Sequence, residues 1–330
     1  MRYPFIIAEM ACAHNGRVSE AKELIDISFK AGADAVQLQF FVPEETVTPH
    51  HEAWSIINEI AFSKEQWKKI FQYAKTKNIE VWICTYDLSS VKWCKEFKAD
   101  GIKLNSADLS NPDLLSSVSK LGIPFTLGTG ASTIEEINNG LKYCESEGAK
   151  EIVLMHGVQN FPTKNEDLNI SRVGLLKRMI PKYTVGYSDH TEGGDPFGLH
   201  VDLIALGCGA EVFEKHITMN RADKGVDYQA ALEPEEFILY CKNIRRAAQA
   251  FGSGELKPFS KSDYKYRKFQ KKSIVAKDEI PLGTIIQREH FYFARNIEPG
   301  IPPIEMNSII GKTTIKKINK FDNIELSNLK

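Results

Sequence analysis

The sequence predicts an α/β protein, in which a (β/α)8 TIM barrel precedes a small C-terminal domain of mixed character. Two observations support this fold class. Short apolar runs alternate with amphipathic helical patterns through the first 250 residues, and this alternation completes eight strand–helix units. The pattern then stops near residue 252, at Gly-Ser-Gly, and too little sequence remains for a second barrel.

The eight apolar runs are short and continuous rather than alternating with polar residues. Such runs are typical of parallel strands that are buried on both faces. We therefore predict the barrel strands at residues 5–10, 34–40, 79–84, 101–104, 123–127, 151–155, 183–187 and 210–215.

Amphipathic segments separate these runs and have the 3.6-residue period of helices packed on one face. Eight strand–helix units in a row favour a closed barrel over an open doubly wound sheet. The clearest helical patterns cover residues 19–31, 64–77, 89–97, 133–147, 196–206 and 234–250.

The break in the pattern divides the chain into three predicted segments. Residues 1–256 form the barrel, residues 257–272 form a basic, aromatic linker, and residues 273–330 form the small domain. Short strand-like runs and turn signals in the last segment lie at residues 273–276, 281–284 and 309–312.

Composition and charge exclude several classes of protein. The 42 Lys and Arg balance 43 Asp and Glu, so no electrostatic attraction to nucleic acid or to a membrane surface is expected. The six cysteines include no C-x-x-C pair, which favours reduced thiols. No signal peptide or membrane-spanning stretch is recognisable, so we expect a cytoplasmic protein.

Polar residues follow all eight predicted strands. In TIM barrels the active site forms where the carboxyl ends of the strands meet, so these residues are expected to share one mouth. They include Glu9, Gln37, Gln39, Lys103, Asn105, Ser106, Asp108, His156, Gln159, Ser188, Asp189, His190, Glu214, Lys215 and His216.

Two neighbouring strand ends carry a histidine, in Ser188-Asp189-His190 and in Glu214-Lys215-His216. Adjacent strands lie about 4.8 Å apart, so the two imidazoles can share one metal ion and leave positions open for a substrate oxygen. The alternative is that each histidine only forms hydrogen bonds within a polar loop. We favour the metal site for this pair, and expect His156 to shape the pocket.

Lysines at the same mouth indicate an anionic ligand. Lys103 and Lys215 would need a partner such as phosphate or carboxylate if buried, although a structural ion pair would also satisfy them. Glu9 and Asp108 are candidates for proton transfer. These residues predict a metal-assisted enzyme that acts on an anionic, phosphorylated carbonyl compound, and they leave the substrate open.

Over nearly its whole length the sequence resembles the sialic acid synthase (N-acetylneuraminate synthase) family, which carries a C-terminal antifreeze-like, or SAF, β-clip domain. The resemblance rests on motifs in both predicted domains, of which S-D-H-T and E-K-H, in this order and at this spacing, are the most specific. The matching segments cover residues 5–9, 14–16, 32–36, 103–108, 129–130, 187–191, 214–216, 232–234, 273–276 and 310–312.

The resemblance implies a reaction and roles for named residues. Phosphoenolpyruvate condenses with the aldehyde of an N-acyl hexosamine, and His190 and His216 match manganese ligands. Further matches place Glu9 and Asp108 near the metal and the reacting carbon. The positions matching phosphoenolpyruvate contacts are Lys103, Ser106, Gln159 and Ser188, and those matching sugar contacts are Gln39, Phe161, Asp227 and Arg295. The resemblance also implies a domain-swapped homodimer, because the family forms one. In such a dimer Arg295 would act in trans, on the site of the other subunit.

Four positions depart from the family pattern. Gln37 stands where lysine is usual, Gly128 replaces a serine, and Asp108 replaces a glutamate. The usual H-C-T segment reads His-Gly-Val here, with Gly157 in the place of the cysteine. These changes are compatible with a different sugar acceptor or with lost activity. The alternatives are therefore a related synthase that uses phosphoenolpyruvate and a phosphorylated sugar, or an inactive protein that binds a sugar or a metal.

Overall fold

The computed structural model describes residues 3–255 and 258–330, which divide into two compact units. One unit ends at Ser253 and the other begins at Gly254. The predicted boundary between residues 256 and 257 lies outside the described residues. Within the described ranges, no helix combines the length and the apolar character needed to cross a bilayer.

The first unit is a closed barrel of eight parallel strands in sequential order, and β8 closes it by pairing with β1. This confirms the fold class predicted from the sequence. The strands are β1 (Phe5–Glu9), β2 (Ala35–Phe40), β3 (Glu80–Thr85), β4 (Gly101–Leu104), β5 (Phe125–Gly128), β6 (Ile152–His156), β7 (Thr184–Asp189) and β8 (Val212–His216).

Helices surround the barrel and pack on the outward faces of the strands. They are α1 (Val18–Ala31), α2 (Pro43–Thr46), α3 (Trp54–Ile60), α4 (Lys64–Lys75), α5 (Leu88–Phe97), α6 (Pro112–Ser119), α7 (Ile134–Ser146), α8 (Ser171–Met179), α9 (Val201–Gly207) and α10 (Pro234–Phe251). Capping explains several of their boundaries. Ser63 and Gln66 form a capping box at the start of α4, and Gly32 ends α1 in the left-handed conformation at φ 79°.

The barrel interior is packed below the site. Ile7, Trp82 and Met155 point inward from their strands and form a buried cluster of their own. Trp82 requires a glycine opposite it, because a Cβ at Gly101 would lie 2.2 Å from the indole ring. This packed layer forms a floor, and the polar residues at the carboxyl ends of the strands lie above it.

The segment predicted as a linker contains a helix, α11 (Lys261–Gln270), whose side chains are all exposed. The second unit continues with β9 (Ser273–Ala276), which pairs antiparallel with β10 (Phe291–Ala294). Isolated bridges and 3-10 turns account for much of the rest. Its small core is made mainly of Ile274, Ile280, Ile286, Phe291, Ile309, Ile318 and Ile324.

Candidate active site

A buried cluster of opposite charges occupies the mouth of the barrel. Lys103 Nζ lies 2.6 Å from Glu214 Oε1 and 3.3 Å from Glu9 Oε2. Gln37 Nε2 donates to Glu9 Oε2 and, at 3.2 Å, to Glu214 Oε2. Ser188 Oγ donates to Glu214 Oε1 at 2.7 Å. Glu214 therefore connects residues from three other strands.

The two carboxylates of this cluster differ in their protonation. Burial raises the pKa of Glu9 to about 6, although the charge of Lys103 opposes that rise. Burial would also raise the pKa of Glu214, but Lys103 and the hydrogen bond from Ser188 hold it below its ordinary value. Burial acts to lower the pKa of Lys103, and the two carboxylates outweigh that effect and raise it. In this cluster Lys103 therefore stays protonated, and the neighbouring Glu9 can exchange a proton near neutral pH.

The neutral amide of Gln37 has a direct electrostatic consequence. Two buried carboxylates share one lysine here, and Gln37 stands between them where the resemblance leads one to expect a second cation. Its Oε1 is buried and has no hydrogen-bond partner among the described residues. The amide supplies hydrogen bonds without adding positive charge, which leaves Glu9 easier to protonate.

A small polar cavity adjoins Lys103. Its lining includes Lys103, Ser106, Gln159 and Ser188, which are the four residues predicted to contact phosphoenolpyruvate. His190 lines the same cavity. Lysine and hydroxyl donors around one cavity are suited to an anionic ligand.

Glycines let the backbones around this cavity approach closely. A Cβ at Gly128 would lie 2.5 Å from the backbone nitrogen of Ser106, and one at Gly157 would lie 2.4 Å from the carbonyl oxygen of Ser188. Two of the four departures from the family pattern are therefore required by the local backbone. They bring the loops together around the cavity.

His190 and His216 lie side by side, with ring centroids 5.1 Å apart. Burial, followed by the charge of Lys103, lowers the pKa of His190 to about 4. Burial, followed by the charge of His190, lowers the pKa of His216 well below its ordinary value. Both imidazoles are therefore neutral at neutral pH, which is the form that binds a metal.

The two histidines fit a divalent cation that takes most of its ligands from elsewhere. The Nδ1 atoms of both rings lack a hydrogen-bond partner within the described part of the chain. Asp227 Oδ2 lies 4.0 Å from His216 Nε2. No group of three or more His, Cys, Asp or Glu in residues 3–255 and 258–330 has the geometry to hold a metal. A cation here would need water or substrate oxygens to complete its coordination.

Two of the predicted sugar contacts, Phe161 and Asp227, lie beside this histidine pair, and a third, Gln39, approaches Glu9. The Phe161 ring meets the His190 and His216 rings nearly edge-on, at centroid distances of 5.0 and 5.6 Å. Gln39 Nε2 lies 3.4 Å from Glu9 Oε1. Burial raises the pKa of Asp227 to about 6 against the opposing charge of Lys103. These side chains extend the site from the histidines towards the loops after β1 and β2.

Asp108 and His156 make contacts other than those described so far. Asp108 is half-buried in a 3-10 turn, where its Oδ1 accepts a hydrogen bond from Asn111 Nδ2 at 3.1 Å. His156 is buried, and its Nε2 lies 3.0 Å from the carbonyl oxygen of Leu168. Arg295 belongs to the second unit, in the segment that follows β10.

Lys215 was expected at the same mouth as Lys103, but it points the other way. It pairs with Asp189, and both side chains are completely buried. Because side chains alternate along a strand, Glu214 faces the barrel interior and Lys215 faces the helix layer. The nearby Asp202 of α9 accepts a hydrogen bond from Tyr240 of α10 at 2.8 Å. Lys215 thus forms the structural ion pair that was the alternative to an anion site.

The sequence reasoning missed the apolar compartment that adjoins Gln39 and Asp227. Its walls are mainly Cys12, Phe41, Ile56, Ile57, Ile60, Tyr86 and Val226. A signal was present in the sequence, because the segment after β2 carries isoleucines at 56, 57 and 60 with helical spacing. Their contact with the site depends on how the loop folds back over the barrel.

Comparison with known proteins gives consistent results. The model of the NeuB family matches residues 24–256. The N,N'-diacetyllegionaminic acid synthase of Campylobacter jejuni is 31% identical over 332 residues, covering 96% of this chain and 97% of that protein. The human N-acetylneuraminate-9-phosphate synthase is 25% identical and covers 97% and 91%. The structure of the N-acetylneuraminic acid synthetase of Leptospira borgpetersenii superposes with a TM-score of 0.74 at 28% identity, covering 80% of this chain and 91% of that one.

Proposed function

Since the chain belongs to the NeuB family, we propose that it condenses phosphoenolpyruvate with the aldehyde of an N-acyl hexosamine, releasing a nonulosonic acid and phosphate. The observation that carries this proposal is the juxtaposition of two sites. The cavity lined by Lys103 and Ser188 is also lined by His190, which stands beside His216. An anionic donor and the aldehyde of an acceptor would therefore meet within one pocket.

In the proposed reaction the donor is held by the polar cavity. Lys103 supplies a fixed positive charge, and Ser106, Gln159 and Ser188 add hydrogen-bond donors for phosphate or carboxylate oxygens. The methylene carbon of phosphoenolpyruvate forms a bond to the aldehyde carbon. Water then adds to the former enol carbon, and the bond from that carbon to the phosphate oxygen breaks.

In this proposal Glu9 moves the protons that the reaction requires. Its Oε1 accepts a hydrogen bond from the backbone of Ala11 at 2.6 Å, and its Oε2 faces Lys103. With a pKa of about 6, it is mostly ionised at neutral pH and can accept a proton from the attacking water. Asp108 is the second carboxylate that we propose for proton transfer.

The chain's own metal ligands in this proposal are His190 and His216. When bound there, a divalent cation such as manganese would polarise the aldehyde oxygen as a Lewis acid. Gln39, Phe161 and Asp227 would orient the sugar beside it. In a domain-swapped homodimer, a SAF-like second unit would bring the partner subunit's Arg295 to the same sugar.

A phosphate-release assay tests the proposal. The purified protein is incubated with phosphoenolpyruvate, manganese and a panel of acceptors that includes N-acyl hexosamines and phosphorylated pentoses. We expect that only the N-acyl hexosamines of this panel support phosphate release, and that chelating the metal abolishes it. Release with pentose phosphates instead would favour the related synthases of other deoxy sugar acids.

Histidine variants locate the activity. His190→Ala and His216→Ala should each abolish phosphate release while the circular dichroism spectrum stays unchanged. His200→Ala is the matched control, because His200 is an exposed histidine of the same unit that contacts the Pro196 carbonyl oxygen. Full activity of either site variant, or normal rates in a chelated sample, would refute the proposed metal site.

A further inference from the structure

Asp227 has an uncommon backbone conformation beside the histidine pair. Its φ is 61°, in the left-handed region that residues other than glycine rarely adopt, and its carboxylate lies 4.0 Å from His216 Nε2. It is the third residue of a turn in which the Tyr228 N–H donates to the Gly225 carbonyl oxygen at 3.4 Å. A left-handed third position of a turn normally carries glycine or asparagine. Such a conformation persists where the surroundings fix it, so contacts to this turn decide where the carboxylate lies.

The first residue of the turn packs against the loop after β1. A Cβ added at Gly225 would lie 2.8 Å from Asn15 Oδ1 and 3.6 Å from Asn15 Cγ, so the carboxamide lies directly against the Gly225 backbone. The φ of Gly225 is outside the left-handed region, and the close approach to Asn15 is therefore what favours glycine here. Asn15 limits the movement of the turn towards the loop after β1.

The side chain of Asn15 is itself held in place. Its Nδ2 donates to the Ala13 carbonyl oxygen at 3.3 Å and to Glu20 Oε2 at 3.2 Å. Glu20 belongs to the first turn of α1, so the carboxamide is tied both to its own loop and to a barrel helix. With Nδ2 held by these two acceptors, Oδ1 is the atom that faces Gly225.

The rest of the loop after β1 is anchored as well. His14 is completely buried, and its Nδ1 accepts a hydrogen bond from the Gly16 N–H at 3.1 Å. Its ring stacks on Phe62 with centroids 4.3 Å apart. On the other side, a Cβ at Gly16 would lie 3.2 Å from the Glu59 carbonyl oxygen of α3. Residues 14–16 therefore form a fixed support against which the turn after β8 rests.

We propose that Asn15 is a positioning residue for the acceptor: through its contact with Gly225 it holds the turn that places the Asp227 carboxylate beside His216. This inference rests on the proposed function, in which Asp227 orients the sugar. It gives a role to residues 14–16, which match the family pattern but take no part in the reaction described above. The proposed phosphoenolpyruvate cavity is lined from β4 to β7 and the loops after them, so loss of Asn15 should affect the acceptor selectively.

Steady-state kinetics of Asn15→Gly test this selectivity. The substitution removes the carboxamide without straining the backbone, because Asn15 has a φ of 47°. The phosphate-release assay uses the full chain, manganese, phosphoenolpyruvate and N-acetylmannosamine, or whichever N-acyl hexosamine of the panel reacts fastest. We expect KM for the acceptor to rise about 10-fold and KM for phosphoenolpyruvate to stay within about 2-fold. Asn78→Gly is the matched control, at an exposed asparagine with a φ of 56° that precedes β3, and should change neither constant.

A double-mutant cycle shows whether Asn15 acts through Asp227. Asp227→Gly removes the carboxylate and suits the left-handed backbone. In that background Asn15→Gly should change KM for the acceptor by less than about 2-fold, because the group that it positions is already absent. If Asn15→Gly still raises the acceptor KM about 10-fold there, Asn15 acts independently of Asp227 and the inference is overturned.

Gly225→Ala tests the contact from the other side, and its readout does not depend on activity. Its methyl group would meet Asn15 Oδ1, so we expect a lower urea midpoint than that of the wild type. Adding Asn15→Gly removes the obstructing carboxamide and should restore most of that midpoint in the double variant. If the two substitutions lower the midpoint additively, the two residues do not support one another, which would contradict the proposed contact.

A crystal structure of Asn15→Gly completes the test. We expect the Asp227 carboxylate to leave its place beside His216; an unchanged φ and position of Asp227 would overturn the inference whether or not the protein is active. If the wild-type protein releases phosphate with none of the acceptors, the proposed function fails. The urea midpoints and the crystal structure would still decide whether Asn15 positions Asp227, so the two failures are distinguishable.

Discussion

Removing the charge of Asp227 should stabilise the protein and impair acceptor use at the same time. Burial raises the pKa of this carboxyl from 3.8 to about 6, and a quarter of the side chain is exposed. The rise of this pKa from 3.8 to about 6 corresponds to about 3 kcal/mol at full ionisation, since a change of one in pKa is worth about 1.36 kcal/mol. The ionised Asp227 therefore lowers the stability of the folded protein, and Asp227→Asn removes that penalty.

The effect must depend on pH with a definite sign. Between pH 3.8 and about 6 the folded protein binds more protons at Asp227 than the unfolded chain does, so stability falls as pH rises through that window. From about pH 4.5 to about pH 7.5 the linkage predicts a growing advantage of about 2 kcal/mol for Asp227→Asn. Solvent screening of the exposed part reduces this to about 1–2 kcal/mol.

Urea unfolding followed by tryptophan fluorescence provides the assay. All four tryptophans lie in the barrel unit, so the signal reports that unit. The measurement uses chelated protein, because Asp227 neighbours His216. Asp167→Asn, at an exposed position of the same unit, corrects for the loss of one negative charge. In the catalytic assay, KM for the acceptor should rise with little change for phosphoenolpyruvate. An advantage that is constant or shrinks with pH would refute the reasoning.

Three further predictions follow from the same structure. Lys103→Met leaves two buried carboxylates without their cation, so we expect unfolding free energy to fall by about 3–5 kcal/mol at neutral pH and to recover partly in acid, as urea titrations would reveal. Gly128→Ser should destabilise the barrel by about 1–3 kcal/mol, because its Cβ would meet the Ser106 backbone; a gain in stability would contradict this. Arg295→Ala should raise KM for the acceptor more than for phosphoenolpyruvate, and steady-state kinetics with unchanged acceptor KM would argue against capping in trans.

The barrel could be predicted from the sequence because its strands are buried on both faces. The structure begins β2 at Ala35 and ends β8 at His216, each one residue from the predicted bound. That the strand-end residues lie together could be predicted by the same argument, since the carboxyl ends of parallel strands lie on one side of the barrel. Short helices such as α3 were not predicted, because a single turn or two carries little periodic signal.

The pairing of charges could not be predicted from the sequence in the same way. Three carboxylates and two lysines lie at the carboxyl ends of the barrel strands, and composition does not say which lysine meets which partner. The pairing depends on the face to which each side chain points. Ser188 and Glu214 face inward, whereas Asp189 and Lys215 face outward, and strand register alone brings each pair together. The apolar compartment was missed for a related reason, since it joins loops far apart in the chain.

Side chains alternate between the two faces of β7 and β8, and this alternation has a mechanical consequence. The two strands are cross-linked on both faces, by the Ser188–Glu214 hydrogen bond inside and by the Asp189–Lys215 ion pair outside. A histidine comes directly after each cross-linked segment. The two cross-links therefore fix the spacing of the imidazoles, and binding of the proposed cation would need little rearrangement. The two tripeptides S-D-H and E-K-H could therefore be introduced together, as a pair, on neighbouring strands of another parallel barrel.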